Sequence, residues 1–141
     1  MKTSIVKNVA SIMIPFIQVF ALYIMIFGHI SPGGGFAGGS IMGASLIMYR
    51  FINGNEKANK KFEFNKLIKL VSFSLIGYGV LKGYVFIVSF YGVDSIISTG
   101  TPGTILSGGF IMPLNILVGI VVAIAFYFIA SLFEEGEIEN V

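Results

Sequence analysis

Residues 9–39 read VASIMIPFIQVFALYIMIFGHISPGGGFAGG, an apolar run that breaks at a glycine-rich turn and resumes almost at once. From Val9 to Phe27 only Ser11 and Gln18 interrupt the apolar side chains, and with Lys7 and Asn8 ahead of it this stretch is long enough to cross roughly 30 Å of hydrocarbon as a helix. A cleavable signal peptide would be shorter and would end in a small-residue cleavage site. The run therefore predicts a first transmembrane helix over residues 7–30. The whole composition agrees: of 141 residues 55% are hydrophobic and 11% charged, and the mean hydropathy is +0.90, which leaves too little polar surface to cover a soluble domain.

Working outward, residues 36–52 predict a second span, residues 66–91 a third and residues 110–133 a fourth, the last ending just before Glu134 and Glu135. The expected architecture is an all-α membrane protein, a single four-helix transmembrane domain over residues 1–141. Between the second and third spans lies the polar stretch 53–65. With its flanks it carries Arg50, Lys57, Lys60, Lys61, Lys66 and Lys69. Basic residues at helix ends favour the cytoplasm, so this loop and both termini are expected inside, in a plasma membrane. The connections 28–35 and 92–109 hold no lysine or arginine and are expected outside. Ser31-Pro32-Gly33, Gly38-Gly39 and Ile41-Met42 echo as Thr101-Pro102-Gly103, Gly108-Gly109 and Ile111-Met112. The echo reads either as two helix–loop–helix repeats about an axis along the membrane normal or as a coincidence of glycine-rich sequence.

Several chemistries are excluded at this level. With no cysteine and one histidine the chain has no thiolate nucleophile, no iron–sulfur or haem ligation and no multi-histidine metal site. We expect no cofactor, no metal and no catalytic residue. A net charge of +2, without a basic face on a soluble module, argues against nucleic acid as a partner.

Within the turn, Pro32 restricts its predecessor to extended backbone, and Gly33, Gly34 and Gly35 admit conformations closed to other residues. A phosphate-binding loop would need a preceding strand and a following lysine, and both are missing. Gly35, Gly39 and Gly43 recur every fourth residue, which predicts a flat helix face for close packing. Gly79 and Gly83 repeat the spacing on the third span. Partners for these faces are expected outside the chain, so that Gly39→Leu should harm assembly more than folding.

Gly28, His29, Pro32, Gly33, Gly34, Gly35, Phe36, Gly38 and Gly39 together resemble the GHxxPGGGFxGG hallmark of the MrpB/MnhB family, the B subunit of multisubunit Mrp-type sodium/proton antiporters. Chain length and helix layout are similar too. The resemblance implies a non-enzymatic membrane subunit that contributes scaffold and part of a cation pathway, with separate large ion-translocating subunits as partners, lipid around it, and sodium ions and protons as the transported species. Members often carry an acidic residue near the start of the last helix, where this chain reads Pro113-Leu114-Asn115. The same subunit type resembles parts of membrane-bound hydrogenases and related ferredoxin-linked complexes, so a larger redox-driven pump is an equally open setting.

Two ionisable residues complete the candidates for an ion pathway or functional loop, beside Pro32, Gly33, Gly34, Gly35 and Phe36. His29 can exchange protons near neutral pH, or it is a helix-end residue bonded to a loop carbonyl. Phe36 is expected to anchor the second helix. Lys82 lies about 20 Å along the helix from Lys69, and an unpaired ammonium in hydrocarbon costs on the order of 3 kcal/mol or more. No Asp or Glu lies in any of the four spans, so the expected partner of Lys82 is a carboxylate or a set of backbone carbonyls on another chain. The competing reading is a self-contained four-helix carrier working as a homodimer. Proton coupling in such a carrier needs an intramembrane carboxylate, which the spans lack.

Overall fold

The computed structural model describes residues 2–30, 33–92 and 109–139. They form five helices: α1 (Lys2–Ile26), α2 (Gly34–Asn53), α3 (Asn55–Lys61), α4 (Phe64–Tyr91) and α5 (Ile111–Glu139). No strand occurs among them. Three of the helices are long and apolar enough to cross a membrane, α1 from Ser4 to Ile26, α4 over its whole length and α5 from Ile111 to Glu134. The chain is an all-α membrane protein. α2 falls outside that group because Gly34, Gly35, Gly38, Gly39, Gly43, two serines and Arg50 lower its mean hydropathy. It is also the helix most enclosed by protein, packed between α1 and α5.

The glycine contacts fix the directions. Gly28 after α1 lies against Gly34 at the start of α2, and Ala21 and Met25 lie against Gly38, so α1 and α2 are antiparallel. Gly35, Gly39 and Gly43 meet Asn115, Gly119 and Ala123 in turn, so α2 and α5 run parallel. The rings of Tyr84 and Phe110 and of Phe64 and Phe128 pair at opposite ends of α4 and α5, making those two antiparallel. α2 and α5 form the centre, with α1 on one side and α4 on the other. Among the described residues most of the buried hydrophobic ones are on α1 and α5: Ala10, Ile14, Ala21 and Met25, and Ala123, Ile124 and Tyr127.

The expected boundaries shift: α1 begins at Lys2 rather than residue 7, α2 at Gly34 rather than 36 and α4 at Phe64 rather than 66. α1 ends at Ile26 rather than residue 30, and residues 27–30 form a turn in which the Ile30 N–H donates to the Phe27 carbonyl at 2.9 Å. His29 therefore lies beyond the helix. The stretch 53–65, read as a polar loop, contains α3, whose Glu56 in the first turn and Lys60 and Lys61 in the last complement the helix dipole. Gly54, at φ +80°, makes the sharp turn from α2 into it. α5 continues past 133 to Glu139. Of the internal echo, Ser31, Pro32, Thr101, Pro102, Gly103 and Gly108 lie outside the described residues.

Candidate functional site

The motif turn closes on a crossing of three helices. Gly33 and Gly34 have φ of +119° and +53°, left-handed values that favour glycine and start α2 abruptly. The absence of side chains then lets α5 in. A Cβ on Gly28 would strike the Gly34 Cα and come within 2.8 Å of the Asn115 Nδ2, and one on Gly35 would strike the Asn115 carbonyl oxygen. The Asn115 amide is thus bracketed by Gly28 and Gly34. Its Nδ2 is buried and has no hydrogen-bond partner among the described residues. One turn deeper, a Cβ on Gly39 would stand 2.6 Å from the Gly119 carbonyl oxygen, and one on Gly43 2.9 Å from the Phe126 Cβ. Met25 of α1, 2% exposed, fills the space between Gly38 and Gly119.

The structure corrects the partner expected for the glycine face. Gly35, Gly39 and Gly43 pack against α5 of the same chain, because the parallel pairing of α2 and α5 brings Asn115, Gly119 and Ala123 into register with them. Gly79 and Gly83 have nothing among the described residues within 4 Å of where a Cβ would be. Phe36 is 63% exposed, with its ring edge-on to that of Phe126 at 6.5 Å between ring centres. His29 is half-buried in the turn with its Nδ1 inside the protein. Pro32 lies outside the described residues. Lys82 is exposed on α4 and far along the helix from the basic end.

A second constellation was not expected from the sequence. Arg50, counted there only as a basic loop flank, is 2% exposed. Its Nε donates to the Glu134 Oε2 at 2.5 Å, and its Nη1 donates to the Asn59 Oδ1 at 3.0 Å and to the Tyr127 hydroxyl at 3.3 Å. One guanidinium therefore ties α2 to α3 and α5. Phe62 closes over the cluster, its ring 5.4 Å from Tyr49 and 5.5 Å from Tyr127. Beside it lies a cavity of about 580 Å³ lined by Arg50, Asn59, Phe64, Tyr127 and Ser131. A smaller cavity of about 320 Å³ lies on the α1 side, with Ser11, Pro15, Gln18, Asn53 and Lys61 in its wall. At the head of α4, Lys66 bonds Glu63 at 2.9 Å, and that bond and its charge hold the Glu63 carboxyl below the usual carboxylate range. No cluster of metal-ligating side chains occurs among the described residues.

Residues 5–128 match the family of domains related to the MnhB subunit of Na+/H+ antiporters. An uncharacterized protein of Methanocaldococcus jannaschii is 29% identical over 124 residues, which is 84% of this chain and 47% of that protein. The chain thus spans about half the length of the relative it matches. It belongs to the MnhB-related family.

Proposed function

From membership of this family, we propose that the chain is a non-catalytic membrane subunit of a Mrp-type sodium/proton antiporter module, free-standing or built into a hydrogenase-like respiratory complex. The observation that carries the reading is the placement of charge. No Asp or Glu lies within α1, α2 or α4, or in α5 before Glu134, and Glu134 is held by Arg50. A proton-coupled carrier needs a titratable carboxylate in the membrane, so the coupling groups belong to other subunits. In this chain the crossing at Asn115 is neutral, and its role is to hold three helices at close range. His29 with Pro32, Gly33, Gly34, Gly35 and Phe36 forms the outer loop at the mouth of a cation route. α2 serves as a fourth span in a single transmembrane domain, with the basic stretch 53–65 and both termini on the cytoplasmic side of the plasma membrane. The parallel course of α2 and α5 supports two helix–loop–helix halves.

Reconstitution tests this. The purified chain in liposomes should give no sodium-dependent proton flux, and the complete set of co-expressed neighbouring subunits should lose flux when this chain is omitted. Flux from the chain by itself would favour the homodimeric carrier. His29→Gln should lower coupled transport of the assembled complex or move its pH optimum. Unchanged activity and pH profile would reduce the loop to a connector.

A further inference from the structure

Among the described residues, α4 meets the rest of the chain along one side only. It buries just Leu67 and Ser74 and packs on α5, while Phe73, Ile76, Val80, Phe86 and Phe90 are each more than half exposed. Apolar side chains can face lipid at no loss. Lys82, exposed among them, cannot.

Its depth follows from the helix. Lys66 and Lys69 hold the start of α4 at one interface, so the hydrocarbon begins near Leu70. At 1.5 Å per residue Lys82 then stands roughly 18 Å into a core of about 30 Å, leaving some 12 Å to the far side. An extended lysine side chain spans about half of that remainder, so snorkelling leaves the ammonium short of the lipid phosphates. Among the described residues no carboxylate pairs with it. Glu56 and Glu63 lie at the opposite, basic end, and Glu134 is engaged by Arg50. Gly79 and Gly83 flank Lys82 within one turn, and nothing lies within 4 Å of where their Cβ atoms would be. A second helix can approach the α4 backbone closely beside the charge.

We propose that the face of α4 formed by Ile76, Gly79, Lys82, Gly83 and Phe86 docks a transmembrane helix of another subunit that carries an Asp or Glu at the depth of Lys82. This rests on the reading of the chain as one subunit of a larger membrane assembly. The occupant is set by charge complementarity. A carboxylate on a neighbouring helix reaches that depth and neutralises the ammonium, whereas a lipid headgroup does not reach it and a second copy of this chain offers no carboxylate within its spans.

The test uses the chain co-expressed with its neighbouring subunits. A photo-crosslinking benzoylphenylalanine at Phe86 or Ile76 should join it to one co-subunit, and mass spectrometry of the adduct should place the link on a helix containing Asp or Glu. Lys82→Met should lower both crosslink and co-purification by roughly tenfold or more, and Lys82→Arg should retain them. Lys82→Glu should be rescued by changing the identified carboxylate to lysine. Size-exclusion profiles of the isolated variants in detergent control for folding, which an exposed position should leave intact. Crosslinks to lipid alone or to a second copy of the chain, co-purification of Lys82→Met at the native level, or failure of the charge swap would overturn the proposal. Loss of all co-purifying subunits from the native chain would instead sink the subunit reading on which it stands.

Discussion

Gly35, Gly39 and Gly43 on α2 and Gly79 and Gly83 on α4 share one spacing, and their surroundings are opposite. On α2 every one of the three stands against backbone or Cβ atoms of α5 at less than contact distance for an added methyl. On α4 the two glycines face open space. Spacing of four residues says only that a helix has a bare strip. What covers it depends on what else the helix offers. α2 carries small and polar residues along much of its length and gains by enclosure, whereas α4 presents exposed phenylalanine, isoleucine and valine and keeps its strip outside the packing of the described residues.

The largest effect expected from breaking this contrast is at Gly35. Leucine there would drive its side chain into the Asn115 backbone, and we expect loss of the folded chain, by about 3 kcal/mol or more, with Gly39→Ala weakening it by about 1–3 kcal/mol. Melting of the isolated chain in detergent, followed by size exclusion, measures both. A neutral Gly39→Ala would mean that α2 and α5 are not this close.

Arg50 ranks next. Arg50→Met strands Glu134, which is partly exposed, and removes the bonds to Asn59 and Tyr127. A loss of about 2–3 kcal/mol is expected, less than for a fully buried pair. Adding Glu134→Leu should recover part of that loss in the same melt. If the double variant is no better than the single one, the guanidinium matters through packing with Tyr127 and Phe62 rather than through the ion pair.

These two sites also show how much could be read from residues alone. The four long helices, the glycine turn and the family follow from local signals: apolar runs, Pro32 before three glycines, and basic residues gathered at one end. The Arg50 cluster has no such signal. Its partner is 84 positions away, and an arginine near a helix end beside five lysines reads as a topology marker until the parallel course of α2 and α5 brings Glu134 to it. α3 was hidden for a related reason, since a short polar helix has no apolar period to betray it. The partner of the glycine face was equally out of reach, because the register of two helices separated by the whole of α4 is a tertiary fact.

Asn115 gives a smaller and more discriminating change. Its Nδ2 is buried without a partner among the described residues, so Asn115→Ala removes an unsatisfied donor as well as packing, and the two should nearly cancel, within about 1 kcal/mol. Asn115→Leu keeps the bulk but branches it toward Gly28 and Gly34 and should destabilise by about 1–3 kcal/mol. A large loss with alanine would show that the amide makes a bond in the membrane that the isolated fold does not reveal.

The smallest effect, and the one that separates the two glycine strips most cleanly, is at Gly79. Because nothing lies within 4 Å of the added methyl, Gly79→Ala should strain nothing in the isolated chain and should raise its stability by up to about 1 kcal/mol through helix propensity. The same methyl at Gly39 should destabilise. Two substitutions of identical chemistry and spacing should therefore move the detergent melt in opposite directions. In the assembled complex the sign at Gly79 should reverse if another subunit's helix rests on α4, since the methyl then holds that helix away. A Gly79→Ala chain that melts later on its own yet co-purifies less well with its neighbours would place the second strip at a subunit interface. One that is stabilised in both settings would leave α4 facing lipid at that turn.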